Sequence, residues 1–260
     1  MKITFGALVF RRGVSFVSRK VRNFLVYIGG LSVLLYRTVF WLFSPSARKQ
    51  QVLEQMNIIG VASFPIVVLI SFFTGMVLAL QSAYQMQKMS AEMYIASLVA
   101  LSLTRELGPV LTGLIVAGRC GAAISAELGT MTVTEQVDAL ETMSVNPVHY
   151  LVVPRFLAMM VMVPLLTIYA DFFGILGGYV IGVGRLNITS AMYMKMTWDP
   201  LAVKDVITGL IKSLSFAAII CLISCFEGLN SEEGAEGVGK ATTSSVVRSF
   251  ILIIVADCFF

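Results

Sequence analysis

Leu101-Ser-Leu-Thr-Arg-Glu-Leu-Gly-Pro-Val110 decides how this chain is read. It lies inside a hydrophobic run from Met93 to about Gly118 and sets Arg105 beside Glu106 at a depth where a bilayer would be. A charge at the centre of a membrane helix costs about 2.5–3.5 kcal/mol on insertion scales, so such residues face a bundle interior or a cavity. Two readings follow: a cavity lining, or an ion pair with another span, for which Lys212 and Asp171 are the candidate partners. Adjacent helical residues point about 100° apart, so the two cannot both face one cavity squarely.

The composition agrees with a membrane setting. Hydrophobic residues make up 57% of the chain and charged ones 13%, against about 25% charged in a soluble domain. The mean hydropathy is +0.87. A length of 260 residues suits about five or six spans of ~20 residues and leaves little for a soluble domain. The expected fold is an all-α integral membrane protein, with an N-terminal interfacial helix and about five transmembrane helices. The spans are expected over about 58–80, 93–118, 156–184, 206–226 and 246–260, with 1–57 a separate basic region and 58–260 the transmembrane domain.

Nine of the 19 Lys and Arg lie in the first 57 residues, beside hydrophobic sequence. This pattern suits an anionic membrane surface rather than nucleic acid. Residues 1–23 read as a basic amphipathic helix lying on the membrane. Phe24–Phe43 contains Arg37 and is followed by Arg48 and Lys49, so it reads as interfacial or partly embedded, with a true span as the alternative. The positive-inside rule puts this N-terminal region in the cytoplasm, together with residues 119–155. No cleavable signal peptide is recognisable. The four cysteines sit in or beside apolar runs and read as small hydrophobes.

Asp171 is alone within the third span and reads as a packed polar residue. Lys212, in the fourth, would either snorkel or meet a lipid phosphate. Arg119 is expected at the cytoplasmic end of its helix, where a cation suits the macrodipole, and reads as an anchor. In the polar connection that follows, Thr132 and Glu135 have capping-box spacing. Val133, Val137 and Leu140 then recur at helical spacing, with Glu135, Asp138 and Glu141 on other faces. Asn146-Pro147 is expected to stop this short helix. It reads either as a solvated helix against the bilayer or as a docking helix for a soluble partner.

Several segments resemble the MlaE (YrbE) permease family. They are Gly75-Met-Val-Leu-Ala-Leu-Gln81, Leu98–Val110, Ala117-Gly-Arg-Cys-Gly-Ala-Ala-Ile-Ser-Ala-Glu-Leu-Gly129, Thr134-Glu-Gln-Val-Asp-Ala-Leu140, Pro154-Arg155 and Lys240-Ala-Thr-Thr243. They occur in order across roughly residues 50–257. The resemblance implies the permease subunit of an ABC transporter that moves phospholipids or related lipids between membranes. It implies a bacterial inner-membrane location, a second permease copy (a homodimer), ABC ATPase subunits, a periplasmic MCE-domain protein and often a STAS-domain protein. It also implies a lipid cavity lined by Leu78, Gln81, Tyr84, Arg105 and Glu106, with a cytoplasmic coupling helix carrying Glu135, Gln136, Val137, Asp138, Leu140 and Glu141. Ser82-Ala83-Tyr84 departs from the Gly-Tyr common there, the aromatic being displaced by one position.

The chain contains no GxxxxGK[ST] phosphate loop, so ATP hydrolysis is expected in a partner and not in this chain. No catalytic residue, metal set or cofactor is expected. An ion-coupled secondary transporter of an amphipathic substrate is the alternative. It would need a relay of intramembrane carboxylates, for which Glu106, Asp171 and Asp257 are available, and no internal repeat supports it. An intramembrane enzyme is disfavoured, since no GxSxG, HExxH or paired catalytic aspartates occur and His149 is the single histidine.

Overall fold

The computed structural model describes residues 22, 25–42, 49–88 and 91–260. The basic helix expected over residues 1–23 lies outside the described residues apart from Arg22. All regular structure among the described residues is helical. The elements are α1 (Leu25–Leu42), α2 (Lys49–Gln87), α3 (Glu92–Val133), α4 (Gln136–Thr142), α5 (Val148–Gly184), α6 (Ser190–Trp198), α7 (Val203–Leu229) and α8 (Gly234–Asp257). Six of them are long and apolar enough to cross a membrane: α1, α2, α3, α5, α7 and α8. That is one more than the five spans expected.

Helices α2, α3, α5, α7 and α8 alternate in direction. The end of this bundle that carries α4 is its basal end; α6 lies at the distal end. Helix α1 stays near the basal end over its whole length. Tyr27 stacks edge-on against Phe226, close to where α7 stops, and Trp41 meets His149, just inside the start of α5. Fourteen residues separate Tyr27 from Trp41, about 21 Å of helix, yet both partners belong to the same end.

Helices α2, α3, α5, α7 and α8 are each longer than their apolar runs. Gln81–Gln87 continues α2 for two turns, because Gln, Ala and Met favour helix and no Gly or Pro intervenes. The connection expected over 119–155 is mostly helix too, since α3 runs on to Val133 with Ala, Ser and Gly facing its neighbours. The acidic, Gly-rich stretch over 227–240 leaves only 230–233 outside helix. Gly237 lets the start of α8 lie against the backbone of Glu232, where a Cβ would come 2.1 Å from the carbonyl oxygen.

Helices α2 and α5 meet backbone to backbone. A Cβ on Gly75 would lie 1.8 Å from the Gly174 carbonyl oxygen, and one on Gly177 would lie 2.1 Å from that of Phe72. Small residues at this spacing permit such a crossing. Leu166, Val163, Met159, Phe216 and Ile220 fill the core beside it. Pro164 sits inside α5 without ending it.

Helix α2 breaks near its basal end. A π turn over Asn57–Val61 is followed by Ala62 and Ser63, and the helix restarts at Phe64 with Pro65 in its first turn, a position that needs no amide donor. Arg119 closes this break: its guanidinium donates to the Ile58 carbonyl at 3.2 Å and to Ser63 Oγ at 2.7 Å. Its role is therefore a specific bond to a neighbouring helix, and the anchoring expected of it at a helix end does not arise, because α3 continues to Val133.

Candidate functional site

Arg105 and Glu106 lie in a π turn, Leu103–Leu107, that precedes Gly108-Pro109. Proline has no amide proton to give to the carbonyl four residues back, and a wide turn is one way a helix absorbs that loss; such turns are common at functional positions. The two side chains turn to different partners. Arg105 Nη2 lies 2.7 Å and Nε 2.8 Å from Asp205 Oδ1. Glu106 Oε2 lies 2.5 Å from Lys212 Nζ, which also donates to Asp257 Oδ1 at 3.0 Å.

The five charges have a clear layering. Arg105 and Glu106 keep 54% and 56% of their side-chain surface exposed, whereas Asp205 keeps 8% and Lys212 2%. Buried countercharges thus hold an exposed cation and an exposed anion side by side. Asp205 can do this because it sits in the first turn of α7, where its Oδ2 accepts the Ala202 amide at 3.1 Å and the helix dipole favours an anion. Lys212 does not snorkel. It stays buried because two carboxylates compensate it. Sequence reading foresaw the Glu106–Lys212 pair as one alternative and missed Asp205, which lies 100 residues from Arg105.

Asp171 does not join this group. Its carboxyl is pressed against Gly108, where a Cβ would lie 1.8 Å from Oδ1, and that oxygen has no hydrogen-bond partner among the described residues. Gly108 is the residue that makes room for it.

The remaining proposed cavity residues separate. Leu78 and Gln81 line one cavity of about 210 Å³ with Ser82, Gln85, Met86 and Leu98. Arg105, Glu106 and Tyr84 are not among its lining residues. Tyr84 is exposed, with the Lys88 ammonium 4.7 Å from its ring centre.

Helix α4 forms over Gln136–Thr142 without the expected capping box. Thr132 belongs to the end of α3, its hydroxyl bonded to the Leu128 carbonyl at 2.9 Å. Glu135 adopts φ 60 and starts α4 with no side-chain cap. Asn146 does not stop α4; Ser144, also at φ 60, follows its last turn. Asn146 Oδ1 instead accepts the Val148 amide at 2.9 Å and begins α5. Val137 and Leu140 pack on the core, Gln136 donates to Thr134 Oγ1 at 3.0 Å, and Glu135, Asp138 and Glu141 are exposed. The amphipathic reading therefore holds, with an outward acidic face.

Two further ion pairs brace the basal half: Arg155 with Glu127 at 2.9 Å, and Arg248 with Glu227, the Arg248 guanidinium also lying over the Tyr27 ring at 4.4 Å. In the sequence Glu127 and Arg155 belong to the polar connection, and Glu227 follows directly on the fourth apolar run. Glu127 and Arg155 did stand inside segments already singled out by family resemblance.

Residues 52–260 match the family described as Permease MlaE. A probable ABC transporter permease protein of Rickettsia conorii is 46% identical over 241 residues, covering 93% of each chain. One of Synechocystis is 42% identical over 211 residues, covering 81% of this chain and 80% of its own. The intermembrane phospholipid transport system permease protein MlaE of Haemophilus influenzae is 35% identical over 247 residues, covering 94% of each.

Proposed function

This chain belongs to the MlaE permease family, the multi-pass membrane subunit of ABC transporters whose ATP hydrolysis resides in a separate subunit, and from that premise we propose that it carries phospholipids between the inner and outer membranes of a bacterium. The Haemophilus relative is named for intermembrane phospholipid transport. The observation that carries the reading is the exposed Arg105–Glu106 pair above buried Asp205 and Lys212. A phospholipid needs an apolar path with a few fixed polar groups for its headgroup. Arg105 offers a fork for the phosphate, and Glu106 offers an acceptor for an ammonium. Leu78 and Gln81 belong to the apolar path on α2.

In this reading the basal end faces the cytoplasm of the inner membrane, and α1 lies in the interface. The nine basic residues before residue 58 support that orientation, as do the contacts of both ends of α1 with one end of the bundle. ABC ATPase subunits dock on α4 at the end that carries exposed Glu135, a second permease copy completes the membrane unit, and a periplasmic MCE-domain protein, with or without a STAS-domain protein, completes the assembly. A photoreactive residue at Leu78 or Glu106 should capture phospholipid in cells. Absence of captured lipid at both positions, with outer-membrane permeability unchanged by Glu106→Leu, would overturn the reading.

A further inference from the structure

A larger cavity, of about 650 Å³, lies at the basal end between α1 and the α4–α5 connection. Its lining mixes apolar Leu34, Val137 and Phe226 with polar Thr132, Ser144, Asn146 and Asn230. Its rim carries Arg37 from α1 and Asp138 and Glu141 from α4. These three charges face one space, yet none forms an ion pair or a side-chain hydrogen bond among the described residues. The outer surface of α1 beside it is exposed and hydrophobic, with Val26, Val33, Tyr36 and Phe40.

We propose that this cavity binds the headgroup of a resident zwitterionic phospholipid, Arg37 taking the phosphate and Asp138 with Glu141 taking the ammonium. One cation and two anions around one cavity, unpaired among the described residues, match a ligand that carries both signs. An anionic lipid would meet the two carboxylates as repulsion, and the exposed apolar face of α1 beside the cavity suits acyl chains. Acyl chains would leave along the apolar face of α1, as they do beside any interfacial amphipathic helix. A lipid held there ties α1 to α4, so bilayer composition acts on the helix that meets the ATPase. The site is separate from Arg105 and Glu106 and stands or falls independently of the transported substrate.

The test uses the full chain in nanodiscs of equal phosphatidylethanolamine and phosphatidylglycerol. A photoreactive p-benzoylphenylalanine replaces Val145, which lines the cavity from the α4–α5 connection, and the adducts are weighed by mass spectrometry. Phosphatidylethanolamine adducts should exceed phosphatidylglycerol adducts by about threefold to fivefold, the effect of an exposed ion pair. Asp138→Asn with Glu141→Gln should equalise the two lipids, and Arg37→Gln should lower both adducts. Equal adducts in the parent protein, adducts unchanged by these substitutions, or displacement by excess inorganic phosphate would overturn the proposal. So would loss of the lipid adduct to a protein adduct when the ATPase is added. A probe at Leu78 in parallel reads the transport path, so failure of one site does not mimic failure of the other.

Discussion

Lys212 on α7 holds Glu106 on α3 at 2.5 Å, with 106 residues of chain between them. Lys212 is buried, whereas Glu106 is half exposed, so the lysine does not depend on Glu106 alone: Asp257 lies 3.0 Å away on its other side. Glu106→Leu should therefore leave the fold intact and act on lipid handling. Glu106→Leu combined with Asp257→Asn strips both partners from a buried ammonium, which costs about 3–5 kcal/mol. Thermal unfolding in detergent should show a loss in the double variant well beyond the sum of the single ones.

Two substitutions at Glu135, at the start of α4, separate charge from backbone. Glu135→Lys should sharply weaken copurification of the ATPase, since like charges opposed across a contact cost several kcal/mol. Glu135→Gly removes a side chain from a left-handed position that costs an L-residue roughly 1–2 kcal/mol. It should raise the melting temperature while still weakening docking. Pull-down and melting measured on the same preparations check both statements.

How far these features could be read in advance follows from their range along the chain. The five spans were legible because apolar runs of twenty residues have few other uses. Helix ends were not: Gln81–Gln87 carries α2 past its apolar run by local propensity, and Gly234–Val246 becomes helical despite the glycines at its start because Gly237 packs against Glu232. The π turn at Leu103–Leu107 marks the charged pair only once the backbone is seen. Asp205 was hidden because it reads as a loop residue until α7 places it beside Arg105.

The crossing of α2 and α5 predicts a sharp contrast between glycines. Gly75→Ala puts a methyl group 1.8 Å from a backbone oxygen that cannot rotate away, so it should cost at least the about 1–3 kcal/mol typical of overpacking. Gly239→Ala, on α8, has no atom within 4 Å of the new Cβ and should be neutral or stabilising by about 0.5–1 kcal/mol. Melting temperatures of the two variants in one detergent compare them directly.

Orientation can be read with a native thiol. Cys258 is exposed at the distal end, while Cys120, Cys221 and Cys225 are buried. An impermeant maleimide added to whole cells with a permeabilised outer membrane should label the wild-type chain and not Cys258→Ser. In that background Ser190→Cys should restore labelling and Met143→Cys should not. The reverse pattern would invert the assignment of basal to cytoplasm.

The distal ion pairs also impose a schedule on biogenesis. Arg105 and Glu106 leave the ribosome about 100 residues ahead of Asp205 and Lys212, and Asp257 comes later still. At 5–20 residues per second, α3 waits roughly 5–20 s with both charges uncompensated, at a transient cost of about 5–7 kcal/mol on the insertion scale. Helix α2, free of charge from Ile58 to Leu80, bears no such burden. The nascent chain must therefore shelter α3 within the translocon or against α2 until α7 arrives, and a chain arrested before Asp205 exposes two orphan charges that quality-control proteases can recognise.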